Sequence, residues 1–318
     1  MILLIYHSKR LLTNRNRVFL KEIYNNFPGG KRAKAAEMRK SRLDIRSGPA
    51  YISESKPTVD ARRIFMKKHQ IAAQLYTLRE FLKTEPLIFE SLKKVKKMGY
   101  DAIQVSGMGP IDEKELVRIC GDLGLDICAT HENGQMIVEE TERVIERLDR
   151  LNCRYTAYPW PHIIPSNRAE AVELAHKLNT AAEKMAAAGK VLCYHNHDIE
   201  FMRMEDGSLI LDLLYDNAPA LQGEIDTFWV QAGGQNPACW VKKLAGRMPL
   251  LHLKDYGIHD RRRAMFPIGS GNLDWQSIVP AGEAGGVEYF IVEQDECLKD
   301  PFDSLKESLD YITANFVK

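Results

Sequence analysis

Met98-Gly99-Tyr100-Asp101-Ala102-Ile103-Gln104-Val105 is a joint, where a charged amphipathic segment stops at a glycine and a short apolar run follows at once. Glycine suits that place because helices commonly close on a residue with a left-handed backbone. The joint recurs. Leu123-Gly124-Leu125-Asp126-Ile127-Cys128-Ala129, Leu151-Asn152-Cys153-Arg154-Tyr155-Thr156-Ala157 and Ala188-Gly189-Lys190-Val191-Leu192-Cys193-Tyr194 repeat it, and further joints fall near Asn217, Gly246 and Gly286. Successive joints lie 25, 28, 37, 28, 29 and 40 residues apart. The apolar runs have the length and composition of strands covered by helices.

The intervening segments read as helices. Thr84 can cap one with Pro86 in its first turn, and Ile88, Leu92 and Val95 then share a stripe. Asn167 and Glu170 have capping-box spacing, with Leu174, Leu178 and Met185 continuing an inner face to Gly189. Adding Ile71 to Leu75 as the opening strand and a last helix from about Phe302 to Phe316 gives eight βα units. Count and length match a closed (β/α)8 TIM barrel. A doubly wound open sheet usually needs fewer strands, and its GxGxxG fingerprint does not follow the first strand here.

The chain has 318 residues, 45% of them hydrophobic, with a mean hydropathy of −0.31. It contains no apolar run near the roughly 18 residues that span a bilayer. The first 68 residues carry 17 Lys+Arg against 5 Asp+Glu, and the rest carry 27 against 38. Residues 1–68 therefore read as a basic, poorly structured N-terminal extension, broken at Pro28-Gly29-Gly30 and Ser47-Gly48-Pro49. Residues 69–318 read as the barrel. Met66-Lys67-Lys68 has the look of a natural start, and a targeting or nucleic-acid arm is the alternative for the extension. An acidic body is not the footprint of a DNA-binding surface. Six scattered cysteines with no CxxC suggest neither a disulfide framework nor a structural zinc site, so a reducing cytoplasm is expected.

Barrel chemistry sits at the C-terminal strand ends. Four successive strands end in metal-competent side chains: His195, Asp226, His252 and Glu293. Any one alone reads more readily as a buried histidine or a capping acid; four at equivalent positions can converge on one ion. Two imidazoles and two carboxylates suit Mn²⁺, Co²⁺ or Zn²⁺, with Mg²⁺ less favoured by nitrogen donors. Strand alternation places His197 on the face of His195, Lys254 on that of His252, and Asp295 on that of Glu293. Lys254 is a candidate to hold a substrate oxygen, or else a rim salt bridge. Glu200, His131 and Trp160 are further candidates for substrate contact, with a bland alternative of loop charge for Glu200 and of loop packing for Trp160. Gly269-Ser270-Gly271 lies where barrel phosphate sites form, although a turn with Asp274 capping the next helix explains it better. Arg261-Arg262-Arg263 would meet an anionic substrate or a solvated rim.

Read together, Tyr194-His195-Asn196-His197-Asp198-Ile199-Glu200-Phe201, Asp226-Thr227-Phe228-Trp229, His252-Leu253-Lys254-Asp255, Gly269-Ser270-Gly271 with Asp274-Trp275, and Val292-Glu293-Gln294-Asp295 resemble the sugar phosphate isomerase/epimerase family with the xylose-isomerase-like barrel. The resemblance covers about Gln70 to Lys318. It implies a divalent metal, often manganese, on strands five to eight, with Asp226, His252 and Glu293 matching the usual ligands and Trp229 beside the substrate. Position five departs: the ketose epimerases and endonuclease IV relatives carry Glu where this chain has His195. A symmetric two-Glu epimerisation is therefore in doubt, and inosose dehydratase-like members also place histidines at this strand end.

The reading that follows is a metal-dependent sugar or keto-sugar isomerase or epimerase working through an enediolate. Glu293 is the expected base and His197 the residue that returns a proton. A lyase of the inosose dehydratase type is the runner-up, ahead of an endonuclease IV-like nuclease or a non-catalytic sugar-binding barrel. The expected partner is a small sugar or cyclitol, with neither nucleic acid nor membrane, and a homo-oligomer is compatible with the sequence.

Overall fold

The structure is a computed structural model that describes residues 66–318, so the extension up to residue 65 lies outside the described residues. Met66, read as part of that extension, is buried and bridges in parallel to Val317.

Eight parallel strands close into a barrel: β1 (Ile71–Gln74), β2 (Ala102–Val105), β3 (Asp126–His131), β4 (Tyr155–Tyr158), β5 (Val191–His195), β6 (Gln222–Asp226), β7 (Leu250–Leu253) and, after a hairpin, the last strand (Tyr289–Val292), which pairs with β7 and β1. The hairpin strands are β8 (Asp255–His259) and β9 (Arg262–Phe266), which makes the closing strand β10. The helices are α1 (Glu85–Met98), α2 (Glu113–Leu123), α3 (Gly134–Glu139), α4 (Thr141–Arg150), α5 (Arg168–Ala187), α6 (Ile210–Asn217), α7 (Thr227–Ala232), α8 (Pro237–Lys243), α9 (Trp275–Ala284) and α10 (Pro301–Phe316).

The joints behave largely as their sequence suggests. Gly99, Gly124, Asn152, Gly189, Gly246 and Gly286 all have positive φ. Asn217 does not: it remains in the last turn of α6, where its Nδ2 donates to Leu213 O at 2.8 Å. Ile88, Leu92 and Val95 are buried along α1, but Thr84 stands at the N-cap without a side-chain cap bond. Asn167 does cap α5, accepting from Glu170 N, whereas Glu170 Oε2 reaches back to Ser166 N at 2.7 Å rather than to the cap's own amide. Two further departures concern counts. The β3 and β6 connections each carry two short helices, and the 40-residue spacing before Gly286 accommodates the hairpin, whose turn puts Asp260 and Arg261 at positive φ.

The barrel interior changes character along its axis. At the N-terminal end Ala72, Ala102, Cys128, Tyr155, Cys193, Leu250 and Ile291 pack together. Two residues further along the same faces come Gln74, Gln104, His195, His252 and Glu293, with Glu224 and Asp226 from β6, all buried. Buried polar atoms cost free energy unless paired, so their concentration in this upper layer marks it as the candidate site.

Candidate metal centre at the barrel mouth

Register brings the polar side chains together. Asp226 is level with His252 across β6–β7, and His195 is level with Glu224 across β5–β6. Donor atoms of His195, Asp226, His252 and Glu293 all lie within 4.8 Å of one another. His252 Nδ1 is 3.0 Å from Glu293 Oε2 and 3.8 Å from Asp226 Oδ2. Asp226 Oδ1 accepts from Trp229 N at 2.9 Å, so this carboxylate does cap α7 as the bland alternative holds. Its other oxygen, Oδ2, is buried without a hydrogen bond, and so is His195 Nδ1.

Lys254 reaches into the same place. Its Nζ lies 2.9 Å from Glu293 Oε2, 3.1 Å from Asp226 Oδ2 and 3.0 Å from Asp295 Oδ1. The contact with Asp226 Oδ2 pairs charge without hydrogen-bond alignment. Thr227 Oγ1, which donates to the His252 and Lys254 carbonyls at 3.1 and 2.9 Å, steadies the end of β7.

These neighbours set the charges. Burial alone would raise Glu293, but Lys254 and His252 hold it well below the usual carboxylate range. Burial lowers His252, and the carboxylates of Glu224 and Glu293 outweigh it, raising the imidazole to about 10. Asp226 is raised, chiefly by burial, and Asp295 is pushed up to about 6 by the same cause. His195 is pushed well below its ordinary value by burial. Burial, and then Lys254, lowers His197 to about 3, which keeps the imidazole neutral.

A divalent ion fits this donor set. Glu224, Asp226 and Glu293 are three buried carboxylates, and Lys254 is the one buried ammonium beside them among the described residues. Once His252 gives up its extra proton to a metal bond, a dication offsets the two charges that remain, which burial otherwise penalises. Asp226 Oδ2, which is charge-paired with Lys254 but accepts no hydrogen bond, and His195 Nδ1, which makes none, supply one oxygen and one nitrogen donor.

Above the donors lies a cavity of about 630 Å³, lined among others by Tyr76, Arg79, His131, Trp160, His197 and Trp229. His197 meets Trp160 edge-on at 4.7 Å and Trp229 at 5.1 Å between ring centroids. The guanidinium of Arg263 lies over Trp229 at 5.4 Å and pairs with Asp198 at 2.5 Å. Glu200 stands apart from the other candidates. It is buried, with one oxygen accepting from Tyr194 Oη at 2.9 Å and the other from His197 N at 2.7 Å, so it braces the loop under His197. The Gly269–Gly271 loop is not open to a phosphate. The amides of Gly269, Gly271 and Leu273 and the indole of Trp275 all donate to the buried Asp255 carboxylate at 2.8–3.2 Å. Asp274 caps α9 instead.

Glu224 and Gln104 went unread in the sequence. Gly223-Glu224-Ile225-Asp226 does hold a signal, because Glu224 shares the inward face of Asp226 one step deeper. A glutamine in β2 carries none.

Residues 92–315 match the profile of the xylose isomerase-like TIM barrel. The chain belongs to that family. Among solved members of the xylose isomerase-like fold, a sugar phosphate isomerase/epimerase from Parabacteroides distasonis is 25% identical, with a TM-score of 0.67 over 78% of this chain and 99% of that one. An L-ribulose 3-epimerase is 18% identical, with a TM-score of 0.60 over 78% and 94%. A xylose isomerase-like TIM barrel protein from Mycobacterium smegmatis in complex with magnesium is 13% identical, with a TM-score of 0.62 over 79% and 98%. The last two speak for the fold alone. A comparison with curated proteins finds no match. None of the helices among the described residues is long and apolar enough to cross a membrane.

Proposed function

We propose that this chain is a divalent-metal-dependent isomerase or epimerase of a sugar or keto-sugar. The observation that carries the reading is the meeting of four donors from β5, β6, β7 and the end of β10 beneath a cavity with aromatic walls. His195, Asp226, His252 and Glu293 would hold the ion, with Mn²⁺, Co²⁺ or Zn²⁺ suited to two nitrogens and two oxygens. Bound there, such an ion supplies Lewis acidity that lowers the cost of an enediolate.

The chain's own residues do the rest. Glu293, ionised throughout the neutral range, is the base that takes the proton next to the carbonyl, and a carboxylate held so low needs an acidified C–H to act on. Lys254 lies on the same oxygen of Glu293 and is placed to stabilise negative charge on substrate. Neutral His197 handles a proton on a substrate oxygen, and Trp160 with Trp229 forms a wall for the apolar face of a sugar.

Elemental analysis of protein purified without chelator tests the site: native protein retains a divalent ion, and His252→Ala and Glu293→Ala lose it. Equal metal content in all three contradicts the assignment. Incubation of the metal-loaded protein with ketoses and keto-inositols in D₂O tests the chemistry. Deuterium incorporation without loss of water marks an isomerase or epimerase; loss of water marks a lyase.

A further inference from the structure

Beneath the four donors lies a second layer of polar side chains with no part in the chemistry above. Glu224 is fully buried, and its ion-pair partners among the described residues are all histidines. Its Oε1 accepts from Gln104 Nε2 at 2.6 Å and stands 3.0 Å from His252 Nε2. Its Oε2 is 2.9 Å from His131 Nε2. Gln104 Oε1 is 2.7 Å from the same His252 Nε2 and also accepts from Gln74 Nε2 at 2.8 Å.

Two oxygens therefore face one ring nitrogen. A carboxylate has no proton to give, so Gln104 must turn its amide N–H₂ to Glu224, which leaves its carbonyl oxygen toward His252. A lone pair on Nε2 would oppose both oxygens, whereas an N–H satisfies them. The other nitrogen, Nδ1, then points to Glu293 Oε2 and Asp226 Oδ2.

We infer that Glu224 is a positioning residue of the metal centre: with Gln104 it fixes His252 as the Nε2–H tautomer, so that Nδ1 is the atom offered to the ion. The inference rests on the reading that an ion is held by His195, Asp226, His252 and Glu293. Histidine ligands generally donate their second N–H to a carboxylate or carbonyl, which orients the ring and raises its basicity. Glu224 does this from the strand next to β7, and through His131 it braces a second imidazole, which stacks on His252 at 5.5 Å.

Zn²⁺ binding to the full chain, measured against a competing chelator, tests the role together with ¹⁵N NMR of the labelled histidines. In the Zn²⁺-loaded native protein, His252 should carry its proton on Nε2 and the metal on Nδ1. Glu224→Gln keeps the shape but not the charge, and Glu224→Leu removes both; affinity should fall about 10–100-fold, more for the leucine. Native Zn²⁺ affinity in a folded Glu224→Gln overturns the inference. So does a zinc signature on His252 Nε2, which would place the ion among His131, Glu224 and His252. If native protein binds no Zn²⁺, the functional reading fails instead. The role of Glu224 is then read without metal from the His252 Nε2–H signal, where a changed shift and faster solvent exchange in folded Glu224→Gln support the inference and an unchanged signal overturns it.

Discussion

Glu293 Oε2 lies 2.9 Å from Lys254 Nζ and 3.0 Å from His252 Nδ1, so one carboxylate oxygen faces two positively inclined nitrogens in a closed pocket. Neither nitrogen is interchangeable with the other. The imidazole can yield its place to a metal bond, while the ammonium stays charged, held well above its ordinary value because Asp226, Asp295 and Glu293 outweigh its burial.

Lys254→Met should therefore separate catalysis from metal binding. Metal content should persist while kcat/KM falls about 10²–10³-fold, the loss expected for one preorganised charge. In chelator the variant should lose about 3–5 kcal/mol of stability, since buried carboxylates are left unpaired. Added Mn²⁺ should restore part of it. Urea titrations with and without metal, alongside steady-state kinetics, make the check.

Trp160 is half exposed and meets His197 edge-on at the cavity wall. Trp160→Ala should raise KM about 3–10-fold, the size of one aromatic contact. Stability should stay within about 0.5–1 kcal/mol of native, as for other exposed substitutions. Substrate kinetics paired with thermal melts decide this, and a fall confined to kcat would contradict a wall.

Glu200 predicts a pH effect on stability. Burial pushes its carboxyl up to about 7, partly opposed by its bonds from His197 N and Tyr194 Oη. Because the folded pKa lies above the unfolded one, stability from this group is full below about pH 4.5 and drains as pH rises toward 7, by at most about 3 kcal/mol. Glu200→Gln removes the titration. The variant's stability relative to native should thus improve between pH 5 and pH 8, whatever constant cost the exchanged hydrogen bonds add. Unfolding in urea at both pH values would show it.

Asp255 organises the loop after β9. Its carboxylate accepts from five N–H groups, those of Tyr256, Gly269, Gly271, Leu273 and the Trp275 indole. Asp255→Ala should cost about 3 kcal/mol or more through buried donors left unsatisfied. Asp274→Ala, which removes only the exposed cap of α9, should cost about 1 kcal/mol. Comparable losses in the two variants would mean that the loop does not depend on Asp255.

Much of the barrel was legible because its physics is local. A helix closing at Gly99 or Gly189 and an apolar run beside it each follow from a few neighbouring residues, and repetition made the fold. The hairpin at Asp255–Phe266 was missed because its pairing is antiparallel and solvent-edged, with Arg262 and Arg263 where an apolar strand was sought. Glu200 reads as a substrate acid or a plain loop charge, and its place beneath His197 is not legible because it depends on Tyr194 Oη lying under the loop.

The sequence by itself determined eight βα units, the strand ends on which His195, Asp226, His252 and Glu293 stand, and the alternation that puts Lys254 on the side of His252. Tertiary structure decided the rest. Only barrel closure brings Gln104 of β2 to His252 of β7, and only there do Glu224 and Lys254 divide the space on either side of one imidazole. Periodicity along a strand fixes which way a side chain faces; what it meets across the barrel depends on register and closure, which no single segment encodes.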